Sequence, residues 1–407
     1  MDDDARDWSL LPFDLLRKLG EMLHIPHRIV FRTVCKSWCS ALPSIVFPYP
    51  WLLLPAEQID DSCTFLSLPS DNEHCSSFKF SPVPPLHGMR YAGSNTGWVA
   101  IVDLAFNISL LNPLTGAQIH LPSFLPIPRI EPLPNCGGYL CHNPHDNSDS
   151  YLFEYETCRD YFINKVVFSS NPTPNNYMAM VIRHEYPTAY TKAGISKWIS
   201  LDIPVLDIIY HDGLFYALRC VSEVYAFDLS GDNPVKKVII DLVNSDIKLS
   251  DSFLSRSYTH QDKYLAFSST GELFLIMRCN IYADAPNDTK KFETEGFMIS
   301  KYNCESSSCW DEVRCLGNKS VFIGMNNAYF LSIEEDFPGL KANCIYFTDT
   351  FEGINCNIVE GRTNSDIGFF DLEQEKFECR LPSSEKLLPP PIWFVPSIDS
   401  SDDDNMM

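Results

Sequence analysis

The chain has 407 residues, 45% of them hydrophobic, and a formal net charge of −22 at pH 7. Such a length and apolar content allow a large core and predict more than one domain, while the negative surplus argues against nucleic acid and anionic membranes as partners. The N-terminus, Met-Asp-Asp-Asp, has no signal-peptide character, and no apolar run approaches the roughly 20 residues that span a bilayer. We therefore expect a soluble intracellular protein in the nucleus and/or the cytoplasm.

Both ends of the chain are acidic. Residues 1–7 carry four Asp and one Arg, and residues 397–407 carry four Asp and no basic side chain. Runs of like charge are usually solvated and disordered. The sequence predicts an acidic disordered head over 1–7 and an acidic disordered tail over 397–407.

A short helical module is predicted over residues 8–44. Pro12 is suited to the start of a helix, and two apolar stripes follow at helical spacing: Leu15, Leu16, Leu19, Met22 and Leu23, then Phe31, Val34, Cys35 and Trp38. A unit of this size rarely folds without outside support. So many large apolar side chains on so few residues predict docking onto another protein, although an ordinary helical hairpin packed on the chain's own core would show the same periodicity.

These residues resemble an F-box, the helical motif that docks on a Skp-type adaptor in cullin-RING ubiquitin ligases. The matching elements are Leu11-Pro12, Asp14-Leu15-Leu16, Leu19, Leu23, Phe31-Arg32, Val34-Cys35-Lys36-Ser37-Trp38 and Ala41. The resemblance implies that the adaptor is bound by Leu11, Pro12, Leu15, Leu16, Leu19, Leu23, Val34, Cys35 and Trp38.

Two positions depart from the F-box pattern. His27 stands where an Asp commonly caps the third helix, and Cys39 stands where a basic residue is common. Losing such a cap costs about 1 kcal/mol, which weakens the module and leaves its apolar face in place. Residues 8–42 carry five basic and two acidic side chains, a balance that would suit an acidic adaptor or describe a merely solvated face.

Residues 45–396 have the sequence pattern of an all-β domain, with short Val-, Ile-, Phe- and Tyr-rich runs between turn signals. Four strand pairs repeat weakly, beginning at Gly97, Gly213, Gly271 and Asn343, and each is interpreted as the inner hairpin of a propeller blade. Trp198 and Trp310 are predicted to open short strands. The fold class is thus mainly β, a kelch-like β-propeller of six to eight blades after a small all-α F-box. A large β-sandwich or an α+β domain is the alternative.

The resemblance extends over this region. The strings Leu110-Leu-Asn-Pro-Leu-Thr-Gly116, Gly339-Leu-Lys-Ala-Asn-Cys-Ile-Tyr-Phe-Thr-Asp349 and Pro389-Pro-Pro-Ile-Trp-Phe-Val-Pro396 are similar to those of a plant F-box protein family with a C-terminal kelch-like β-propeller. It covers roughly residues 8 to 396.

The sequence offers little chemistry. The common protease, hydrolase and phosphate-loop motifs are missing, and no cofactor is expected. Cys136, Cys141, His142 and His145 are the best candidate metal ligands, but their spacing is loose for zinc. The 15 cysteines are irregularly spaced, as in a reducing compartment where Cys is a small buried hydrophobe.

The expected function is therefore that of a non-catalytic receptor subunit of an SCF-type ubiquitin ligase. The F-box would bind a Skp-type adaptor, and through it a cullin, while the propeller would bind an unidentified target protein. A regulatory or scaffold propeller with a degenerate F-box is the alternative, and a kelch-type enzyme is a third possibility. The predicted target-binding loops are the irregular segments 126–134, 142–150, 186–197 and 281–295.

Overall fold

The structure is a computed structural model of the whole chain. It describes residues 7–23, 27–28, 31–32, 34–42, 50–55, 63–66, 77–80, 86, 88–125, 127, 130–133, 137–142, 150–184, 186–241, 260–284, 290–306, 309–333, 340–349, 366–380 and 390–397. The acidic head and tail predicted at the two ends lie outside these residues, apart from Asp7 and Ser397.

The N-terminal module is helical, as predicted. A 3-10 turn over Trp8–Leu10 precedes helix α1 (Phe13–Met22), and helix α2 covers Lys36–Ala41. Pro12 immediately precedes α1, and its carbonyl accepts the backbone N–H groups of Leu15 and Leu16, both at 3.0 Å. A residue without an N–H donor loses nothing at this position, because the first helical N–H groups have no intrahelical partner.

The rest of the described chain is built from strands with one further helix, α3. The strands are β1 (Trp51–Leu53), β2 (Cys63–Leu66), β3 (Ser77–Phe80), β4 (Arg90–Asn95), β5 (Trp98–Val102), β6 (Ile108–Leu111), β7 (Gln118–His120), β8 (Ile130–Leu133), β9 (Gly138–His142), β10 (Ser150–Glu154), β11 (Ile163–Phe168), β12 (Met178–Arg183), β13 (Tyr186–Lys192), β14 (Ile199–Ser200), β15 (Asp207–His211), β16 (Leu214–Cys220), β17 (Glu223–Asp228), β18 (Val235–Asp241), β19 (His260–Phe267), β20 (Leu273–Asp284), β21 (Lys290–Tyr302), β22 (Trp310–Val313), β23 (Lys319–Ile323), β24 (Tyr329–Ser332), β25 (Cys344–Phe347), β26 (Gly368–Asp371), β27 (Lys376–Arg380) and β28 (Ile392–Phe394). Helix α3 covers Tyr155–Phe162 and follows β10 directly.

Most strands form a ring of blades, which we number from the N-terminal side. Blade 1 has the strand order β28-β1-β2-β3, and blades 2, 3 and 4 are β4–β7, β11–β14 and β15–β18. A nine-stranded sheet divides at the single residue pair Phe267↔Tyr329 into blade 5 (β19–β22) and blade 6 (β23–β27). The described strands therefore form six blades, within the predicted range.

The ring is closed by the two ends of the propeller sequence. Strand β28 pairs antiparallel with β1, with Trp51 opposite Phe394, so one blade is shared between the beginning and the end of the domain. The innermost strands then contact one another around the ring, β28 with β4, β4 with β11, β11 with β15, and β15 with β19. Blade 6 completes the circle because Phe322 and Tyr346 share an apolar cluster with Trp393 of blade 1.

A turn from blade 6 crosses the middle of the ring. This axial turn, residues 324–328, connects β23 to β24. The Asn327 backbone N–H donates to the Ser94 carbonyl of blade 2 at 2.8 Å, and its side chain exchanges hydrogen bonds of 2.8 and 3.0 Å with the backbone of Tyr210 in blade 4. The turn therefore ties three blades together. Gly324 begins it at φ 148°, where a Cβ would lie 2.1 Å from the Thr348 Oγ1.

The predicted repeat is real, but its place in the blade was wrong. All four repeat pairs are antiparallel hairpins, β5/β6, β16/β17, β20/β21 and β25/β26. Each hairpin is preceded by a more central strand of its blade, for example β4 before β5. The repeat therefore marks the middle of each blade, where its strands contribute fully buried apolar residues such as Val99, Leu110 and Phe215.

Two tryptophans connect neighbouring blades; Trp310 opens an outer strand, as predicted, and Trp198 directly precedes one. Trp310 is the first residue of β22, and its Nε1 donates to the Val221 carbonyl of blade 4 at 2.8 Å. Trp198 directly precedes β14 and donates in the same way to the Pro122 carbonyl at 3.0 Å. A buried indole N–H needs such a partner, and here the partner lies on the preceding blade.

Candidate docking surfaces

The predicted adaptor-binding residues divide by exposure. Four are exposed, and we call them the docking surface: Pro12, Leu15, Leu19 and Val34. Leu11, Leu23, Cys35 and Trp38 are half-buried, and Leu16 is buried.

The docking surface consists largely of uncovered hydrocarbon. Leu15 and Leu19 are 48% and 47% exposed on α1, one helical turn apart, and Val34 is 55% exposed. Residues four apart on a helix lie on the same face, so the two leucines form one continuous strip. Single exposed apolar residues need no explanation, whereas a cluster of them on a small module marks a contact site.

Leu16 lies on the opposite side of α1, in the core of the module. It is 1% exposed and clusters with Phe31, Ala41 and Leu42. The helices approach closely at Gly20, where a Cβ would lie 2.6 Å from the Leu42 side chain. The prediction that Leu16 binds the adaptor is untested, but its position shows that Leu16 holds the module together.

Trp38 also braces the module from within. Its ring centroid lies 4.4 Å from that of Phe31, and its Nε1 donates to the Trp8 carbonyl at 3.0 Å. The buried Arg32 donates to the carbonyls of Cys39 and Leu42, which satisfies acceptors at the end of α2. The apolar stripe around Trp38 was evident in the sequence, but which member of the stripe faces inward was not.

Sequence reasoning left further exposed apolar residues out of the site. They lie on the 3-10 turn and on α1: Trp8, Leu10, Phe13 and Met22, all at least 56% exposed. Met22 could have been included, since it continues the row of Leu15 and Leu19 by one turn. The other three precede or begin α1, where helical periodicity gives no signal.

The basic side chains of the module are partly occupied. Arg17 pairs with Glu21 at 2.9 Å, and Arg28 donates to the carbonyls of Leu23 and Glu21 at 2.8 and 2.7 Å. Lys18 and Lys36 are exposed. Two lysines are therefore available to an acidic partner, which is less than the sequence count of basic residues suggests.

The two departures from the F-box pattern affect different parts of the module. Cys39 is 7% exposed and belongs to its interior, whereas His27 is exposed. The docking surface contains neither residue. Cys39 therefore changes the packing of the module, and the exposed apolar strip is unaltered by it.

The structure describes two of the four candidate metal ligands, Cys141 and His142. Cys136 and His145 lie outside the described residues, and within the described part no three His, Cys, Asp or Glu side chains lie close enough to hold a metal ion. Cys141 instead faces Cys158 of α3, with 3.6 Å between the two Sγ atoms. The hydrogen bond with Cys141 and burial together raise the pKa of the Cys158 thiol. Cys141 and Cys158 are therefore thiols packed against each other.

A separate sheet projects from the ring between blades 2 and 3. Strands β8, β9 and β10 form it, and α3 packs against β9 and β10. We call β8–β10 with α3 the side sheet. Its inner face joins the core of blade 2, where Tyr139 contacts Phe106 at 5.1 Å between ring centroids. The all-β prediction missed α3, because eight residues with scattered aromatic side chains carry too short a helical pattern.

Two of the four predicted target-binding loops are strands. Segment 186–197 contains the blade strand β13, and segment 281–295 contains the ends of β20 and β21, which pair as far as Asp284↔Lys290. Their polar residues and a proline misled the prediction, since β13 contains Pro187, Thr188 and Lys192 and β21 begins with the sequence Lys-Lys-Phe-Glu-Thr-Glu. The described parts of 126–134 and 142–150 belong mainly to the side sheet, and residues 143–149 lie outside the described chain.

In the described part of the chain, no helix is long and apolar enough to cross a membrane. A small cavity of about 30 Å³ is lined by Gly324 and Met325 of the axial turn and, among others, by Lys165 and Asp207. It has room for about one water molecule.

The comparisons with known proteins cover nearly the whole chain. F-box protein At2g05970 of Arabidopsis thaliana is 26% identical over 429 residues, which span 97% of each protein. The solved structure of apo AztD from Citrobacter koseri covers 85% of this chain and 98% of its own, with 10% identity and a TM-score of 0.30. The family model described as KIB1-4 beta-propeller matches residues 65–371, a range that begins in β2 and ends in β26.

Proposed function

Since the chain belongs to the KIB1-4 beta-propeller family and is a plant-type F-box protein with a β-propeller, we propose that it is the substrate-recognition subunit of an SCF-type cullin-RING ubiquitin ligase. The F-box docks a Skp-type adaptor, and through it a cullin, and the propeller binds the target protein. The receptor itself performs no chemistry. It holds a target lysine near a ubiquitin-loaded conjugating enzyme, which raises the effective concentration of the reacting groups.

One observation carries the proposal: the docking surface is apolar and exposed, although the module has a small core of its own. Leu15, Leu19 and Val34 are each about half exposed, while Leu16 and Phe31 hold the helices together beneath them. A module that needed these side chains for its own folding would bury them. Leaving them in water is unfavourable by about 25 cal/mol per Å² of apolar surface, so a partner that covers them gains that free energy.

The strip is large enough to make a measurable contribution to affinity. Fully burying a leucine side chain is worth about 1.5–3 kcal/mol, so covering the exposed halves of Leu15 and Leu19 yields a similar sum for the pair. Placing carboxylates there removes this gain and adds their desolvation, which costs several kcal/mol without a compensating partner. Because about 1.4 kcal/mol is tenfold in affinity, two aspartates should weaken binding by about a hundredfold or more.

The test is the double variant Leu15→Asp/Leu19→Asp, measured by titration of a purified Skp-type adaptor onto the full chain. Both residues are exposed, so the variant keeps the module's core. Leu16→Asp is unsuited, because a carboxylate in that core would unfold the module and mimic a loss of docking. The matched control is Val235→Asp/Val238→Asp on β18, where the two valines are 62% and 49% exposed.

We expect the α1 variant to lose adaptor binding and the β18 variant to bind as the wild type does, with unchanged circular dichroism in both. Wild-type affinity in the α1 variant would rule out adaptor docking through this surface. Failure of the wild-type chain to bind any Skp-type adaptor would favour the alternative, a regulatory or scaffold propeller with a degenerate F-box.

The proposed location is the nucleus and/or the cytoplasm, where such a ligase would work. Imaging a fluorescent fusion of the full chain tests this directly, and retention in the secretory pathway would contradict it. Targets are best sought by affinity purification with the Leu15→Asp/Leu19→Asp variant, because a receptor that binds its target without the ligase does not promote its degradation.

A further inference from the structure

The side sheet has two edges of different character. Strand β8 is one edge and contains Pro132, which has no N–H to offer to another strand. Strand β10 is the other edge, and its sequence Ser-Tyr-Leu-Phe-Glu contains no proline. Among the described residues, β10 is bonded to β9 alone. Alternate residues of such an edge direct their N–H and C=O groups away from the sheet, so β10 can accept a further strand and β8 cannot.

Strand β10 also exposes apolar side chains on both of its faces. Tyr151 and Leu152 are 55% and 56% exposed and are among the largest exposed hydrophobic residues of the propeller region. Successive residues of a strand point to opposite faces, so Tyr151 projects with Phe153 and Leu152 projects from the other side. The side chains of an added strand would therefore cover apolar surface of β10 on both faces of the sheet.

Three outer edges of the propeller are protected in the usual ways. Strand β18 carries Lys236 and Lys237, and β7 and β14 are only three and two residues long. Charged lysines and short strands both discourage pairing with another chain. Strand β10 has five residues and no lysine, so it lacks both devices.

The surroundings of β10 are acidic. Residues 126–162 contain six acidic and two basic side chains. In the described part of this segment Glu131, Glu154 and Glu156 are exposed, while Arg159 is 3% exposed and held by Asp160 at 2.7 Å. An occupant with positive side chains would therefore be attracted, and a second copy of this acidic segment would be repelled.

We propose that β10 is a strand-addition site, at which an extended segment bearing lysine or arginine, supplied by the target protein, pairs with β10 as the fourth strand of the side sheet. Main-chain hydrogen bonds give such a contact its affinity, and side chains on alternate sides give it specificity. The inference rests on the proposed receptor function for the source of the segment. The site lies on the propeller and not on the F-box, so it can be tested without the adaptor.

The probe is a fluorescent, end-blocked peptide of about eight alternating Lys and Val residues, long enough to cover a strand. Its partner probe alternates Lys and Pro, with equal charge but without half of the N–H donors. The measurement is fluorescence anisotropy with the full chain at about 0.15 M salt, where distant charges are screened. The Lys–Pro peptide should bind at least about tenfold more weakly than the Lys–Val peptide, since its missing N–H donors cannot form main-chain hydrogen bonds.

The variants separate the edge from general electrostatics. Tyr151→Lys/Leu152→Lys gives β10 the lysines that guard β18, and we expect it to bind the Lys–Val peptide at least about tenfold more weakly. Val235→Lys/Val238→Lys makes the same change of charge on β18 and should bind as the wild type does. Tyr151→Ser/Leu152→Ser removes the apolar contacts without adding charge and should also weaken binding.

Three results would overturn the proposal. The first is equal binding of the two peptides, and the second is equal loss in the β10 and β18 lysine variants, since either would mean attraction by charge alone. The third is self-association of the wild-type chain that the β10 lysine variant abolishes, without binding of the Lys–Val peptide, since the occupant would then be a second copy. Adaptor titration of the β10 variants should be unchanged, which distinguishes failure of this site from failure of the ligase proposal.

Discussion

The buried ion pair between Lys165 and Asp207 should be a main support of the ring. The Lys165 Nζ on β11 lies 2.6 Å from the Asp207 Oδ1 on β15, and their side chains are 6% and 3% exposed. The other oxygen, Oδ2, accepts the backbone N–H of Leu265 on β19 at 2.8 Å. One carboxylate therefore connects the innermost strands of blades 3, 4 and 5.

Replacing Lys165 with Met keeps the length of the side chain and removes its charge. Breaking a buried pair by removing one partner typically costs about 3–5 kcal/mol, because the remaining charge is buried without compensation. Lys301→Met is the matched control, since the Lys301 Nζ lies as close to Glu272, at 2.5 Å, but the two side chains are 42% and 37% exposed. Exposed pairs contribute about 0–1 kcal/mol.

The loss of stability caused by Lys165→Met should depend on pH in a defined direction. Burial raises the pKa of Asp207, and the charge of Lys165 lowers it in part. Without Lys165 the pKa of Asp207 in the folded chain rises further, so the folded state binds a proton that the unfolded state releases. A raised carboxyl pKa destabilises the fold as pH rises through it. The deficit of Lys165→Met should thus be full above the raised pKa of Asp207 and should shrink as pH falls through that pKa.

Urea unfolding followed by tryptophan fluorescence measures these differences as shifts in the free energy of unfolding at constant slope. The double variant Lys165→Met/Asp207→Asn should recover part of the loss, because the amide oxygen can still accept the Leu265 N–H without a buried charge. The reasoning would be refuted if Lys165→Met were no more harmful than Lys301→Met, or if its deficit grew on acidification.

Three further predictions follow from other parts of the fold. Gly324→Ala should destabilise the propeller by more than about 1 kcal/mol in urea unfolding, because the new methyl would clash with a hydroxyl oxygen 2.1 Å away at a φ of 148°; an unchanged midpoint would contradict the close fit of the axial turn. Brief iodoacetamide treatment should label the exposed Cys304 and Cys315 of the native chain, and the buried Cys158, whose pKa is raised, only after unfolding, as peptide mass spectrometry can check. A truncated chain that begins at Phe47 keeps both β1 and β28 and should be soluble with a strand-dominated circular dichroism spectrum, whereas a helical spectrum would refute the separation of module and propeller.

The sequence alone predicted the elements whose patterns are local. The helical module followed from apolar residues at helical spacing around Pro12 and Trp38, and the repeated hairpins followed from apolar runs that end at glycine turns. Such patterns can be recognised in the sequence because the side chains that share one face of a helix or strand recur at a fixed spacing. The resemblance to plant F-box proteins with a β-propeller was confirmed by the family match over residues 65–371 and by an Arabidopsis F-box relative that spans nearly the whole chain.

Sequence patterns did not predict which member of an apolar stripe faces inward. Leu15 and Leu16 are adjacent and chemically identical, yet one is 48% exposed and the other 1%. The difference arises from the close approach of α2 at Gly20, a contact between residues distant in the chain. The exposed member is the one that a partner can cover.

Contacts between blades were beyond sequence analysis for the same reason. Nothing local distinguishes Lys165 and Asp207 from solvated charges, and their partnership arises because the ring brings β11 beside β15. Strand β8 of the side sheet was likewise mistaken for part of a loop, since it is short and contains Glu131 and Pro132. Local spacing thus determined which segments of this chain become helices and strands. Tertiary contacts decided which charges are buried in pairs and which strand edges are paired, because both depend on contacts between residues far apart in sequence.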